Sequence, residues 1–456
     1  MVEVQNLIIG AGLTGLSCSY HIGHNDCLIL EAKSYPYGHI YSEIIDNFTW
    51  DEGPHVSFTN HDYVKELFNE SVNGEYEEYE VVTGNYFKGH WIEHPAQSNL
   101  YQIPEPLRSQ CLESFLNSRR DLKEKVIPQN YGEWLHLAFG KVFAENFPYA
   151  YTRKYWTVDP VELTTDWVGS RVFNPSVEDV LKGSKGPLGR KTHYIKKVRY
   201  PSRGGYQAFA QKLFNGANIE LNAEVRKIDL DKKILQTSKG QTFHYENLVN
   251  TMPLPAFINI CESVPKSLKD ASDSLLCTSV RLVNVTAPHD TLRSENWMYV
   301  YDEDKYSVRI NCTEKLSPAN APTGHTGVQV EVYHSKKKPL KESSKVIEKR
   351  VVEELIEMGL ICPEKAGGRQ KIRTMTRNVK WANVTFDHNT SSAIDVILKW
   401  LESKGLARES DDLHPLSDWT AKLPIRFENL ALAGRFGQWK YYWTDDCVLR
   451  GKNLSD

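Results

Sequence analysis

Three glycines near the start of the chain could cradle a phosphate, and one acidic residue downstream could bind a ribose. Gly10, Gly12 and Gly15 have the spacing Gly-x-Gly-x-x-Gly, and Glu31 follows 21 residues after Gly10. The first glycine permits a tight turn, the second lets the backbone approach a pyrophosphate, and the third lets a helix pack closely on a strand. A carboxylate at Glu31 accepts hydrogen bonds from ribose hydroxyls and repels a 2′-phosphate. The motif therefore predicts a site for FAD or NAD rather than NADP, and it does not decide between FAD and NAD.

The elements that must position this motif are a strand, a helix and a second strand. The apolar run Leu7 to Ile9 ends at the first glycine, and Leu13 and Thr14 open a segment of helical length. A second apolar run, Cys27 to Leu30, ends at the acid. Short apolar runs are typical of buried parallel strands, and the N–H groups at the start of a helix bind phosphate. The pattern predicts the βαβ unit of a Rossmann-like α/β fold.

The segments after this unit resemble a known group of flavoproteins. Residues 31 to 39 and 48 to 55 are similar to the extended FAD fingerprint of the amine oxidase, protoporphyrinogen oxidase and UDP-galactopyranose mutase superfamily. Those proteins usually carry Gly-Gly-Arg or Gly-Gly-Asn where this chain has Gly38-His39-Ile40. Near the other end of the chain, residues 430 to 451 resemble the closing FAD motif of the same superfamily. The resemblance implies that the cofactor is FAD.

The resemblance extends along nearly the whole chain and implies its organisation. The implied fold class is α/β, with a discontinuous Rossmann-like FAD-binding domain and an inserted substrate domain that is helical in one part and an antiparallel sheet in another. The FAD-binding domain is expected in residues 1–70, 200–260 and 425–456. The mainly helical insertion is expected in residues 71–199, and the sheet-and-helix insertion in residues 261–424. Apolar runs such as Val280 to Val285 and Val328 to Val332 favour strands in the second insertion.

The resemblance also implies which residues bind the cofactor and the substrate. The residues implied to bind FAD are Gly10, Gly12, Leu13, Thr14, Gly15, Glu31, Ala32, Gly38, His39, Gly53, His55, Val225, Thr251, Gly434, Arg435, Asp445 and Val448. The residues implied to act on the substrate are His55, Tyr151, Trp156, Arg171, Arg309 and Tyr441. His55 falls where the mutases place a histidine beside the flavin, and Arg309 resembles the mutase arginine that contacts the diphosphate. Tyr151, Trp156 and Tyr441 match aromatic positions that line the mutase sugar site.

A flavin in this chain could perform two kinds of chemistry. Oxidised flavin accepts a hydride, whereas the N5 atom of reduced flavin can attack the anomeric carbon of a nucleotide sugar and displace the diphosphate. We expect an FAD-dependent oxidoreductase-fold enzyme that acts on a small polar substrate, such as a sugar or nucleotide sugar of surface-polysaccharide synthesis. The alternative is a pyranose–furanose mutase. One residue argues against it, because Trp443 is at a position where the mutases have an acid. A third alternative is a flavin-binding scaffold without catalysis.

Composition argues against several other classes of protein. Lysine and arginine number 55 against 58 acidic residues, and this net charge of −3 argues against a protein that coats nucleic acid. No apolar run approaches the roughly 20 residues that span a bilayer. The eight cysteines form no Cys-x-x-Cys pair and have no metal-ligand spacing. We expect a cytoplasmic enzyme with reduced thiols, no metal, no membrane span and a small-molecule substrate, and a homo-oligomer is compatible with this expectation.

Overall fold

The computed structural model describes residues 1–120, 127–169, 171–188, 197–423, 425 and 428–455. The strands are β1 (Val2–Ile9), β2 (Cys27–Leu30), β3 (Ser42–Ile45), β4 (Phe48–Asp51), β5 (Tyr76–Glu80), β6 (Thr83–Phe87), β7 (His90–Glu93), β8 (Lys197–Pro201), β9 (Ile219–Glu220), β10 (Val225–Asp229), β11 (Ile234–Thr237), β12 (Thr242–Asn250), β13 (Cys277–Ala287), β14 (Trp297–Val300), β15 (Arg309–Cys312), β16 (Thr326–His334), β17 (Arg373–Val384) and β18 (Leu430–Leu432). The helices are α1 (Leu13–Ile22), α2 (Asp62–Ser71), α3 (Leu107–Arg120), α4 (Tyr131–Phe139), α5 (Lys141–Asn146), α6 (Pro148–Tyr155), α7 (Val177–Gly183), α8 (Gln211–Phe214), α9 (Leu254–Ile260), α10 (Lys266–Ser274), α11 (Ser344–Glu357), α12 (Thr390–Glu402), α13 (Gly434–Gly437) and α14 (Thr444–Asn453). Within the described residues, no helix combines the length and the apolar character needed to cross a membrane. The cytoplasmic location stays a prediction.

The first sheet is built around β1, the strand that precedes the glycine motif. Its strand order is β10-β11-β12-β1-β2-β9, and β18 also pairs with β12. Strand β1 runs parallel to β2 and β12, and Ile8 lies opposite both Ile29 and Val249. These three side chains are buried in one core with residues of α1 and α14. Strands from the beginning, the middle and the end of the chain thus form one Rossmann-like sheet, which confirms the predicted α/β fold class.

The second sheet supplies a row of polar side chains. Its strand order is β17-β13-β16-β15-β14-β6-β7, and every pair is antiparallel except β14 with β6. Ile310 and Val330 lie in a core that α11 covers. Their neighbours Arg309 and Glu331 face the opposite way, because successive side chains on a strand alternate. Strand pairing then sets Tyr299 beside Arg309, and Arg309 beside Glu331.

The region between residues 71 and 199, expected to be mainly helical, combines helices with strands. It contains α3 to α7, and its strands β6 and β7 extend the second sheet. Helix α6 is tied to that sheet by Lys154, whose Nζ donates to the carbonyl oxygens of Val300, Asp302 and Ser307 at 2.7 to 3.0 Å. This buried ammonium therefore fixes the position of Tyr151, one helical turn earlier. The division of the chain into five segments stays a prediction.

Candidate functional site

One large cavity, of about 1040 Å³, is lined by residues of both sheets. Part of its wall, which we call the dinucleotide half, contains Gly10, Gly12, Leu13, Thr14, Glu31, Ala32, Gly38, His39, Gly53, Val225, Thr251, Gly434, Arg435 and Asp445. Another part, which we call the aromatic half, contains His55, Tyr131, Tyr151, Tyr155, Trp156, Trp167, Arg171, Tyr299, Tyr301, Arg309, Glu331, Tyr333, Tyr441 and Trp443. Of the residues expected to bind cofactor or substrate, Gly15 and Val448 are outside this wall. The volume is at the upper end for ligand pockets, so it can hold a dinucleotide together with a small substrate.

The glycine motif forms the tight turn between β1 and α1. Gly10 has a φ of 101°, which is unfavourable for other residues, and its N–H donates to the Leu30 carbonyl at 2.9 Å. A Cβ on Gly15 would overlap the carbonyl oxygen of Gly10, so this glycine allows the helix to pack on the turn. A Cβ on Gly12 would instead have room, with the Cα of Gly38 at 3.8 Å. Gly15 therefore supports the turn from outside the cavity, whereas Gly12 keeps the cavity itself free.

Glu31 and the start of α1 are the polar groups of this turn. The two carboxylate oxygens of Glu31 accept hydrogen bonds from the N–H groups of Ala11 and Lys33, each at 2.8 Å. These bonds fix the carboxylate at the cavity wall and leave lone pairs for ribose hydroxyls. The first intrahelical bond runs from the Leu16 N–H to the Gly12 carbonyl at 2.9 Å. The preceding N–H groups of the helix are therefore available to phosphate oxygens, in the part where Leu13 lines the cavity.

The C-terminal segment closes the dinucleotide half. Gly434 has a φ of 83°, and a Cβ there would lie 2.8 Å from Oγ1 of Thr14. Arg435 donates to the Tyr442 carbonyl at 2.7 Å and to Oδ1 of Asn383 at 2.8 Å, so much of its hydrogen bonding holds the protein together. Val448 is fully buried in the core beneath α1. It supports the helix that carries Asp445 rather than the cavity wall.

Three further residues implied to bind the cofactor lie at the cavity wall. The N–H and the hydroxyl of Thr251 both donate to the Ile9 carbonyl, at 3.1 and 2.7 Å, so this residue closes the end of β12 against the glycine turn. Ala32 follows Glu31, and Val225 begins the edge strand β10. All three therefore belong to the dinucleotide half of the cavity wall.

His55 stands where the two halves meet. Its Nδ1 lies 2.8 Å from the Gly53 carbonyl, which can only accept, so Nδ1 carries a proton and Nε2 is an acceptor. Burial lowers the pKa of His55 to about 4, against the opposing effect of that hydrogen bond. The ring is therefore neutral at neutral pH, and it packs on Tyr206 with 5.4 Å between ring centroids.

Arg309 is paired with a carboxylate that sequence reasoning did not identify. Its Nε and Nη2 donate to the two oxygens of Glu331 at 2.6 and 2.8 Å, and the Tyr333 hydroxyl donates to the same carboxylate at 3.0 Å. The charge of Arg309 is thus balanced inside the cavity wall. A signal for Glu331 was present, because it is an acid between Val330 and Val332 in a strand of alternating buried valines.

The other predicted substrate residues form one aromatic cluster. Tyr151 stacks on Tyr155 with 5.4 Å between centroids, and Trp156 meets Tyr441 edge-on at 5.6 Å. The Arg171 guanidinium lies over the ring of Tyr441 at 4.6 Å. Sequence reasoning missed several members of this cluster, which are Tyr131, Tyr155, Trp167, Tyr299, Tyr301 and Tyr333. The sequence feature that these residues share is only that each is an aromatic residue, most of them within an expected strand or helix.

Comparison with known proteins supplies the family and several similar structures. The family model described as flavin containing amine oxidoreductase matches residues 13–453. A reduced UDP-galactopyranose mutase is similar in structure, with a TM-score of 0.84 and 22% identity over 98% of this chain and 94% of that chain. A candidate protoporphyrinogen oxidase from Exiguobacterium sp. 255-15 has a TM-score of 0.69 and 15% identity over 98% and 97% of the two chains. A putrescine oxidase bound to putrescine has a TM-score of 0.60 and 11% identity over 99% and 98%.

These results also settle the choice between FAD and NAD. At such low identities the solved structures establish the shared fold alone, whereas the family match covers most of the chain. The glycine turn, the oriented Glu31 carboxylate and the free N–H groups of α1 fit the diphosphate and ribose of FAD, and the cavity has room for it. The protein is an FAD-dependent enzyme. The chain belongs to the flavin containing amine oxidoreductase family.

Proposed function

We propose that this flavoenzyme acts on a small polar substrate of the nucleotide-sugar class. The observation that carries the proposal is the composition of the aromatic half, in which seven tyrosines and two arginines line the wall. Aromatic rings offer flat faces for stacking, while tyrosine hydroxyls and guanidinium groups donate hydrogen bonds. A substrate with sugar hydroxyls, a planar base and phosphates uses all of these groups.

Neutral groups around the sugar support this assignment. Burial raises the pKa of the Tyr151, Tyr299 and Tyr333 hydroxyls, so these side chains stay protonated at neutral pH. The hydroxyl proton of Tyr333 is given to Glu331, whereas Tyr151 and Tyr299 can donate hydrogen bonds to sugar oxygens. His55 offers an acceptor at Nε2. Sugar hydroxyls both donate and accept, so they match a wall that presents both kinds of group.

Arg309 is the proposed contact to phosphate. Glu331 occupies its Nε and Nη2 groups, which leaves Nη1 for a ligand oxygen. The paired carboxylate fixes the guanidinium plane in advance, so little side-chain entropy is lost when a substrate binds. A guanidinium held in this way binds a phosphate in one orientation. It therefore favours a substrate that carries a phosphate over a substrate that carries a flexible ammonium group.

The reaction follows from the cofactor and from what surrounds it. Bound FAD supplies hydride transfer when oxidised and a nucleophilic nitrogen when reduced. Trp156 and Trp167 are buried beside Tyr441 and would exclude water from the reacting end of the substrate. A second candidate is redox-neutral isomerisation of the sugar ring, which the TM-score of 0.84 to reduced UDP-galactopyranose mutase favours.

The test is to offer UDP- and dTDP-sugars to the purified flavoprotein under anaerobic conditions, in its oxidised and in its reduced form. Flavin bleaching by a sugar nucleotide with the oxidised form would indicate oxidation of the substrate. A ring-isomerised sugar nucleotide formed only with the reduced form, without an added oxidant, would indicate the isomerase. Free reduced FAD with the same sugars is the control for reactions that do not need the protein.

The proposal has a clear contrary outcome. If putrescine or another amine bleaches the flavin rapidly while every sugar nucleotide fails to bind or react, the substrate class is wrong. Binding of UDP, followed by the change in flavin absorbance, is the simplest first measurement, because it requires no knowledge of the sugar.

A further inference from the structure

Asn383, near the end of β17, contacts both halves of the cavity. The residue lines the cavity and is buried. Its Oδ1 accepts a hydrogen bond from Nη2 of Arg435, in the dinucleotide half, at 2.8 Å. The same oxygen accepts a hydrogen bond from the hydroxyl of Tyr155, in the aromatic half, at 3.2 Å. The amide nitrogen donates to Oγ1 of Thr278 on the paired strand β13 at 3.4 Å. One amide therefore holds a side chain of each half.

These contacts fix the direction of each hydrogen bond. A guanidinium group can only donate, so the Asn383 atom that faces Arg435 is the carbonyl oxygen. The hydroxyl of Tyr155 faces the same oxygen and therefore gives it its proton. Burial raises the pKa of Tyr155, so the hydroxyl keeps that proton at neutral pH. The Tyr155 oxygen is left with its lone pairs for a ligand.

Tyr155 is held at the cavity wall from several sides. It is the last residue of α6, and the preceding residue, Lys154, ties that helix to the second sheet. Its ring stacks on Tyr151 with 5.4 Å between centroids and packs at a tilt on Tyr333 at 4.6 Å. In the described part of the chain, no residue donates a hydrogen bond to its hydroxyl oxygen. Because Tyr155 and its partner Asn383 both line the cavity, a ligand can reach these lone pairs.

The neighbouring tyrosines differ in what they offer to a ligand. The Tyr333 hydroxyl donates to Glu331 at 3.0 Å, so its oxygen is also left with lone pairs. Tyr299 is the reverse, because its oxygen accepts from Nε1 of Trp297 at 2.9 Å and its own proton remains available. Tyr155 and Tyr333 are therefore two adjacent acceptors, which we call the accepting pair, and Tyr299 supplies a donor from another part of the wall.

We propose that Tyr155 binds the substrate as a hydrogen-bond acceptor, and that Asn383 is the positioning residue that imposes this polarity. The inference rests on the proposed function and narrows it, because the sugar must present a donor, either a hydroxyl or an amide N–H, to the accepting pair. A carboxylate or carbonyl oxygen at the same place would face lone pairs and would lose its hydrogen bonds to water without replacement. The preferred substrates are nucleotide sugars with a free hydroxyl or acylamino group at this position.

The experiment replaces single sugar hydroxyls with fluorine, because a C–F group cannot donate a hydrogen bond. The probes are UDP, UDP-glucose, UDP-galactose and analogues of both sugar nucleotides that carry fluorine at each sugar hydroxyl position in turn. Dissociation constants are measured by isothermal titration calorimetry with the FAD-loaded protein. For the wild type, fluorination at the hydroxyl that donates to Tyr155 should weaken binding about fivefold, the size of one hydrogen bond.

Tyr155→Phe removes the accepting oxygen and keeps the ring. The unmodified sugar nucleotide should bind this variant about fivefold more weakly than it binds the wild type. Fluorination at the position that matters in the wild type should then cost nothing further, because the two changes remove the same hydrogen bond. UDP, which lacks the sugar, should bind both proteins alike.

Variants of Asn383 separate polarity from packing. Asn383→Leu removes the acceptor at similar size, so the Tyr155 proton can turn to the ligand, and the unmodified and fluorinated sugars should bind within about twofold of each other. Asn383→Asp keeps an oxygen towards Arg435 and Tyr155 and should retain the discrimination of the wild type. Asn174, which accepts from Nη2 of Arg119 at 2.6 Å at the surface, is the matched control, and Asn174→Leu should behave as wild type.

Should Asn383→Leu fail to fold, Asn383→Ser removes the amide without adding apolar atoms, and the same loss of discrimination is expected. Full discrimination in whichever of these variants folds would show that Asn383 does not set the polarity of Tyr155.

The remaining failures can be told apart. If the wild type binds neither UDP nor the sugar nucleotides, the proposed substrate class is wrong and this inference falls with it. If the sugar nucleotides bind, but fluorination at every position costs the same in the wild type and in Tyr155→Phe, Tyr155 is not the acceptor. In that case the proposed function stands and only the inference is overturned.

Discussion

The two halves of the cavity are built by different means. The dinucleotide half depends on backbone, with Gly10, Gly38 and Gly434 held close to their neighbours and the Glu31 carboxylate bound by N–H groups. The aromatic half is made of side chains that project from the second sheet and from α6. A Cβ added at Gly10 or Gly434 would overlap a neighbouring side chain, whereas a wall of large side chains can lose one uncharged group, such as a hydroxyl, at a smaller cost. Substitutions in the two halves should therefore fail in different ways.

The halves also differ in how they treat charge. The Glu31 carboxylate accepts hydrogen bonds from two backbone N–H groups and has no cationic partner among these contacts. It therefore presents a negative charge to its ligand. Arg309 and Glu331 compensate each other inside the wall, so together they offer hydrogen bonds without net charge. A fixed charge in the dinucleotide half suits a cofactor that stays bound in one orientation. A neutralised ion pair in the aromatic half suits a substrate that must enter and leave.

The largest effect should come from adding one carbon to a glycine of the turn. Gly15→Ala places a Cβ on the carbonyl oxygen of Gly10, so we expect a loss of about 4 kcal/mol in the free energy of unfolding, measured by urea titration. Gly12→Ala has room in the protein itself, with 3.8 Å to Gly38, but occupies space that the pyrophosphate needs. It should lower FAD affinity by roughly tenfold to a hundredfold with little change in stability.

The control for both variants is Gly186→Ala, since a Cβ at Gly186 meets nothing within 4 Å. If Gly12→Ala and Gly15→Ala lose stability equally and bind FAD equally, the separation between a supporting glycine and a ligand-facing glycine is wrong.

The second effect concerns the ion pair of the aromatic half. Arg309→Met leaves the Glu331 carboxylate buried without its guanidinium, and we expect the free energy of unfolding to fall by about 3 kcal/mol. The double variant Arg309→Met with Glu331→Gln removes the stranded charge and should regain most of that loss. Arg369, which pairs with Glu353 at the surface, is the matched control, and Arg369→Met should change stability little. Equal losses in the single and double variants would contradict this account of the pair.

Local motifs and strand register explain how much of this could be predicted. Gly10 and Glu31 were identifiable because their roles depend on neighbours close in sequence. The partnership of Arg309 with Glu331 depends on the register of β15 against β16, which no short motif records. Val448 matched a resemblance, yet its side chain turns into the core. Strands β6 and β7 of the 71–199 region were missed because they complete a sheet formed mostly by residues beyond 277.

The third effect is a pH dependence that originates at the boundary between the halves. The folded protein holds the pKa of His55 at about 4, below its ordinary value of 6.5, because burial disfavours the charged ring. His55 therefore contributes stability above pH 6.5, and this contribution is lost as the pH falls towards 4. The open cavity still admits water to the ring, so we expect the loss to be about 2 kcal/mol.

The measurement compares urea unfolding of the wild type and of His55→Gln from pH 7 to pH 4. The free energy of unfolding should fall less in the variant, because the variant takes up about one proton fewer when it unfolds. His90→Gln, at an exposed histidine of β7, is the control. Parallel pH curves for wild type and His55→Gln would show that the ring is as well solvated as in the unfolded chain.

The smallest effect should follow from trimming one hydroxyl in the aromatic half. The ring of Tyr441 has the guanidinium groups of Arg171 and Arg435 at 4.6 and 4.8 Å from its centre. Tyr441→Phe keeps this ring, so we expect UDP affinity to fall by no more than about fivefold, near 1 kcal/mol, with FAD affinity unchanged. Tyr441→Leu removes the ring as well and should weaken UDP binding further. Tyr76, under Arg199 at 5.6 Å and away from the cavity, supplies the matched control Tyr76→Phe. A Tyr441→Phe variant that loses FAD as severely as Gly12→Ala does would erase the distinction between the halves, because a side chain of the aromatic wall would then be holding the cofactor.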